Sequence, residues 1–120
     1  MVPLSRGDAS EYYFVFAEQE GRVVGYTCYG PIACTAASFD FYWIAVDPDF
    51  QGKGLGRALL NETERLIRSA KGERIYVETS QRPLYDSTRA FYERCGYIAE
   101  STLENFYGPG DGKVTYRKVL

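Results

Sequence analysis

Apolar and polar positions along this chain fall into short alternating runs, broken once by a long stretch of helical period. Tyr12 to Glu18 is rich in aromatics and Val, and Arg22 to Tyr29 follows it across Glu20-Gly21, which predicts a hairpin. Gly25 inside the second run marks a bulge or a close backbone approach. Gly30 to Ser38, with Pro31 and small residues, reads as a loop. Phe39 to Val46 predicts a third strand, central because it is apolar on both faces towards its end, and Asp47-Pro48-Asp49 stops it. From Leu55 to Ala70 the period changes. Leu55, Leu59, Leu66, Ile67 and Ala70 share one stripe, with Glu62, Glu64, Arg65 and Arg68 on or beside the polar side.

Lys71-Gly72 ends that helix. Glu73 to Thr79 alternates, with Ile75 and Val77 facing one way and Tyr76 and Glu78 the other, as a fourth strand. A strand, helix, strand unit of this length is a right-handed parallel crossover. After a Ser80 to Asp86 loop, a second helix runs from Thr88 to Cys95, capped by Ser87 or Asp86 and ended by Gly96. Tyr97 to Asn105 and Lys113 to Val119 are the fifth and sixth strands, joined by the Gly108 to Gly112 turn. The polar first residues predict a loose lead, residues 1–11, into one domain spanning 1–120.

A chain of 120 residues can build one core and is too small for two. The net charge of −2, without a basic block, argues against nucleic acid as a partner, and the mild acidity is compatible with a cationic amine. No apolar run approaches a membrane span, and the first six residues hold no signal-peptide core. Cys28, Cys34 and Cys95 make an odd count without a Cys-x-x-Cys pair, so they read as reduced thiols of a cytoplasmic protein, Cys28 and Cys95 facing the core. The chain has no histidine. This removes every Ser-His-Asp or Cys-His apparatus and every His-based metal site. Acid and base in an enzyme of this composition must be carboxylate, tyrosine, lysine, cysteine or bound water.

The chemistry concentrates at Gln51-Gly52-Lys53-Gly54-Leu55-Gly56, between the third strand and the first helix. The first four N–H groups of a helix lack internal partners, and the helix dipole adds positive charge there. Glycines let a phosphate approach the backbone with no Cβ in the way. Lys53 and Arg57 add cations on either side of Gly54 to Gly56. A Walker A loop does not fit this spacing. Nor does the dinucleotide fingerprint, since Arg57 stands where its third glycine belongs. A glycine turn that merely enters a helix stays open on spacing alone. The diphosphate of coenzyme A is the reading that uses the cations as well.

Three features taken together resemble one family. Ile44-Ala45-Val46-Asp47-Pro48 followed by Gln51-Gly-Lys-Gly-Leu-Gly56 is similar to the coenzyme-binding motif, Gln/Arg-x-x-Gly-x-Gly/Ala, of the GNAT superfamily of N-acetyltransferases. Ala90-Phe-Tyr-Glu-Arg-Cys-Gly-Tyr97 resembles that family's second motif, a short helix with a tyrosine closed by Gly and an aromatic. The strand Ile75 to Thr79 lies between them, and the resemblance runs from about Tyr12 to Leu120.

The resemblance implies an α/β fold of the α+β kind: a mixed, mostly antiparallel sheet of about six strands, splayed at a central parallel pair and covered by helices. It implies acetyl-CoA as cosubstrate, no metal, and direct attack by a neutral amine through a tetrahedral intermediate. Pantetheine would pair with the free backbone of Ile44 and Val46. The N–H of one of them would polarise the thioester carbonyl. The implied coenzyme site is Ile44, Ala45, Val46, Gln51, Gly52, Lys53, Gly54, Leu55, Gly56 and Arg57. Tyr92 is the implied general acid for the departing thiolate. Glu78, at the end of its strand, is a candidate base, directly or through water, with Asp40, Tyr42 and Tyr85 as further candidates. The alternative is a module of the same fold that binds acyl-CoA without transferring it.

Two departures stand out. Tyr85 occupies a position, seven before the tyrosine, where the family often carries asparagine. The family also begins with a strand and one or two helices before the hairpin, against about ten polar residues here. Either the gene is shortened or a second subunit completes the acceptor wall. The latter predicts a homodimer in which the Tyr97 to Val119 hairpin pairs or exchanges.

Overall fold

The computed structural model of the chain describes residues 2–120. Its strands are β1 (Leu4–Ala9), β2 (Tyr12–Gln19), β3 (Arg22–Pro31), β4 (Ser38–Val46), β5 (Arg74–Ser80), β6 (Ile98–Gly108) and β7 (Asp111–Val119). The helices α1 (Leu55–Ser69) and α2 (Asp86–Arg94) follow β4 and β5. All seven strands form one sheet in the order β1-β2-β3-β4-β5-β7-β6. Only the β4–β5 pair is parallel, which is the crossover that the strand, helix, strand pattern predicts.

The start of the chain differs from expectation. Residues 4–9 are not loose: they pair antiparallel with β2, from Leu4 opposite Ala17 to Ala9 opposite Tyr12. Ser10 and Glu11, both at positive φ, make the turn. This strand is an edge whose backbone pairing holds it while most of its side chains stay exposed, so hydrophobic periodicity could not reveal it. The sheet therefore has seven strands rather than about six. Met1, the first residue of the expected loose lead, lies outside the described residues.

Both helices lie on one face of the sheet and close a core of Val15, Ala17, Phe41, Leu59, Ile75 and Tyr116. Gly25 shows both features expected of it. The β2–β3 register slips beside it, and an added Cβ would come within 3.0 Å of Leu59 and 3.2 Å of the Ala45 carbonyl. Thr27 of β3 and Thr63 of α1 share a buried hydroxyl contact of 2.7 Å. Thr63 donates on to the Leu59 carbonyl, so Thr27 is the donor between them.

Two positions of α1 depart from the predicted stripe. Ala70 is exposed beyond the end of the helix, and Glu64, placed on the polar side, is buried at 3% exposure. Glu64 accepts from the Tyr97 hydroxyl (2.8 Å) and from Lys118 Nζ (3.0 and 3.1 Å), while Lys118 also donates to the Cys95 carbonyl. The carboxylate thus ties α1 to the end of α2 and to β7. Glu64→Gln, which keeps the shape and removes the charge, is expected to cost about 1–3 kcal/mol in urea unfolding. Lys118 is about a quarter exposed, so water limits the loss. An unchanged midpoint would show that the carboxylate's charge is dispensable.

The first turn of α2 also differs. Neither Ser87 nor Asp86 caps it: Tyr85 is the N-cap without a side-chain bond, and Asp86 lies inside the turn, ion-paired with Arg89. On the sheet face away from the helices, aromatic rings run from strand to strand. Phe14 stacks on Phe16 (5.6 Å), Tyr26 meets Trp43 edge-on (6.5 Å), and Tyr12 lies 5.3 Å from Tyr42.

Candidate active site

β4 and β5 pair only from Ser38 opposite Arg74 to Asp40 opposite Tyr76, and then diverge. Beyond Asp40, the edge of β4 that faces β5 has no strand beside it. This is the V that the resemblance implies, and a bulge at Tyr42, where the β3–β4 register slips, turns β4 at its mouth. Such bulges re-aim the residues that follow.

Gln51 to Gly54 closes one side of the V. Asp47 starts the turn by accepting from the Asp49 N–H (2.9 Å) and pairing with Arg22 (2.8 Å), contacts that hold its carboxyl below the usual range. Gln51 Nε2 donates to the Val46 carbonyl at 3.0 Å and ties the loop to the strand end. Gly52 and Gly54 sit at φ +73° and +82°, a region that L side chains rarely adopt, and nothing lies within 4 Å of where their Cβ atoms would be. Gly54 is the N-cap of α1. It supplies no side-chain cap, and no acidic residue occupies the first turn. The helix start is therefore open and positively polarised, as an anion site requires.

A cleft of about 470 Å³ opens at this point. Of the expected coenzyme residues, Ile44, Val46, Gln51, Gly52, Gly54, Gly56 and Arg57 line it. Three others do not. Leu55 is buried in the core, Ala45 faces the other side of the sheet, and Lys53 lies 5.8 Å from the Phe50 ring. The rest of the lining comes from α2 and its end, through Ser87, Thr88, Phe91, Arg94 and Cys95, none of which the sequence reading placed in the coenzyme site. Their spacing of three and four puts them on one helix face, a signal that the sequence did carry. Volume, open helix start, bare glycines and the cations Arg57 and Arg94 together fit a coenzyme A diphosphate.

A second cavity of about 500 Å³ adjoins this cleft. It holds both proposed catalytic side chains, Tyr92 and Glu78, together with Tyr42 and Tyr85 from the wider set of base candidates. Ile44 and Thr88 line both cavities, so the two meet there. Tyr92 is 3% exposed and packed edge-on against Phe41 (6.1 Å) and Tyr97 (5.7 Å). Burial pushes its phenol well above the ordinary tyrosine value, so the group keeps its proton at any physiological pH. The hydroxyls of its neighbours Tyr97 and Tyr116 are committed to Glu64 and Glu93. Glu78 is half exposed, with Lys113 at 3.7 Å. Asp40 does not line the cavity. Its carboxyl is raised by burial and then by the charge of Glu78.

The sheet thus splits at its parallel pair, with a glycine-bordered open helix start in one cleft and Tyr92 in the cavity that adjoins it. Comparison with known proteins identifies the family. The family model described as the acetyltransferase (GNAT) domain matches residues 10–99, and the chain belongs to that family. The N-alpha-acetyltransferase RimI of Mycobacterium tuberculosis is 31% identical over 96 residues, which are 79% of this chain and 58% of the relative. The chain thus spans little more than half the length of that relative. A GNAT-family protein from Desulfovibrio desulfuricans, solved by crystallography, is 47% identical with a TM-score of 0.90, covering 91% of this chain and 69% of that one. An aminoglycoside 6'-N-acetyltransferase complexed with coenzyme A shares the fold at 22% identity and a TM-score of 0.80, covering 91% of this chain and 73% of that one.

Proposed function

We propose that the chain is an N-acetyltransferase that moves an acetyl group from acetyl-CoA directly to a primary amine of a small molecule, peptide or protein. The observation that carries this reading is the junction at Ile44 and Thr88, where the cleft with the open helix start meets the cavity holding Tyr92. When bound, acetyl-CoA supplies an activated acyl group. The chain supplies the rest. Main-chain N–H groups of the loop and the start of α1 hold the diphosphate, with Arg57 beside them. The unpaired edge of β4 at Ile44 and Val46 orients the pantetheine arm, and an N–H there polarises the carbonyl. Glu78 takes the ammonium proton, and Tyr92 gives its own to the departing sulfur.

The exposed aromatic face, with Trp43 at 44% and Tyr12 at 46% exposure, supports a homodimer, as does the edge strand β6 with Phe106 at 54%. The free cysteines, two of them buried, support a reducing, cytoplasmic setting. Among the described residues no helix is long and apolar enough to cross a membrane. Thiol release from acetyl-CoA across a panel of amines, at neutral and mildly alkaline pH, tests the activity. Amine-dependent release is expected, rising with pH as neutral amine accumulates, with no alkaline fall from Tyr92 deprotonating. Coenzyme binding without release would point to the binding module instead. Sedimentation of the protein as a monomer at micromolar concentration would remove the dimer.

A further inference from the structure

Resting on the acetyltransferase reading, we propose that the acceptor is a zwitterion, in the simplest case a free α-amino acid, whose carboxylate is held by Arg82 while its amine faces Glu78. The second cavity is lined by charges of both signs, Glu78 and Asp111 against Arg82. Most of these groups are already engaged. Asp111 accepts from the Ser80 hydroxyl, and Arg89 spends its guanidinium on the Ser80 and Arg82 carbonyls and on Asp86. The side chain of Arg82 forms no ion pair among the described residues, although its main chain is pinned on both sides. Its N–H donates to Ser80 Oγ at 3.1 Å, and its carbonyl accepts from Arg89 at 3.2 Å. Arg82, its backbone fixed in this way, thus lines the cavity that holds the proposed acid and base, with its guanidinium outside any ion pair among the described residues.

This charge pattern selects among amines. An acceptor with only an ammonium group would bring Arg82 no partner of opposite sign. A polycation would meet Arg82 and Lys113 together, and Lys113 lies 3.7 Å from Glu78. An acceptor bearing a carboxylate near its amine removes both conflicts. A planar guanidinium is the side chain whose donors match a carboxylate in pairs. The remaining walls, Tyr42, Trp43, Tyr85 and Tyr107, suit an apolar or aromatic side chain on that amino acid.

Matched acceptors differing only in the carboxylate test this: phenylalanine against phenethylamine and alanine against ethylamine, with phenylalanine amide and spermidine as further arms. Each is assayed by thiol release from acetyl-CoA at one alkaline pH, with the wild type and with Arg82→Gln. The exposed position of Arg82 leaves folding intact. The expected result is that kcat/KM for the amino acids exceeds that of their carboxylate-free partners by about 10- to 100-fold. Arg82→Gln should abolish that gap by lowering only the amino acids. Wild-type preference for the amines, the amide or spermidine overturns the inference and leaves acetyl transfer standing, as does an Arg82→Gln effect equal on both members of a pair. No transfer to any arm would overturn both.

Discussion

Replacing Tyr92 by phenylalanine is expected to lower kcat by about 10²- to 10⁴-fold, the range that a positioned general acid supplies. The substitution removes one oxygen and keeps the ring that packs against Phe41, Tyr97 and Tyr116. Fold and coenzyme affinity should therefore survive. Tyr92 lines the cavity beyond Ile44 rather than the cleft at the glycine loop, which separates its role from carrier binding. Because burial raises its phenol, the lost proton donor cannot be mimicked by changing pH within the assay range. Steady-state kinetics with a single amine, beside a coenzyme A titration, reads both quantities. Undiminished turnover removes Tyr92 from the chemistry.

Gly54→Val is expected to abolish measurable coenzyme A binding, through obstruction added to strain. At φ +82° a β-branched residue is strained by about 1–2 kcal/mol, though no atom lies within 4 Å to clash with it. The folded protein should thus persist, weakened, with isopropyl carbons over the first N–H groups of α1. Gly54→Asn separates the two causes. Asparagine tolerates positive φ, so stability should stay near that of the wild type while its side chain still blocks the anion. Calorimetry on both variants is the check. Coenzyme A affinity retained by either one would mean that the phosphates bind elsewhere.

The legible parts of this fold were those with a chemical or periodic signature. Gln51 to Gly56 stood out because its glycines and flanking cations precede an amphipathic run and resemble a family motif, although spacing alone also allowed a plain glycine turn. The α1 stripe and the alternation of Ile75 to Thr79 gave the crossover, while the V between its two strands came from the family resemblance. What stayed hidden depended on partners distant in sequence. Glu64 reads as a surface carboxylate until Lys118, 54 residues on, and Tyr97 are seen to meet it. β1 is held by pairing to β2, which periodicity does not record. The α2 face from Ser87 to Cys95 had the right spacing, but only the approach of α1 makes that face a wall: the Phe91 ring lies 3.5 Å from where a Cβ on Gly56 would be. Arg82 carried no signal in the sequence, since its significance is that its neighbour Arg89 is engaged and it is not.

The claim beneath all of this is that main-chain donors from Gly52 to Arg57 grip the carrier. Amide resonances followed by NMR while coenzyme A is added test it most directly. The largest shifts are expected at Gly52, Gly54, Leu55, Gly56 and Arg57, with pantetheine, which lacks the diphosphate, leaving them nearly still. Saturable binding that leaves those five amides unmoved would contradict it.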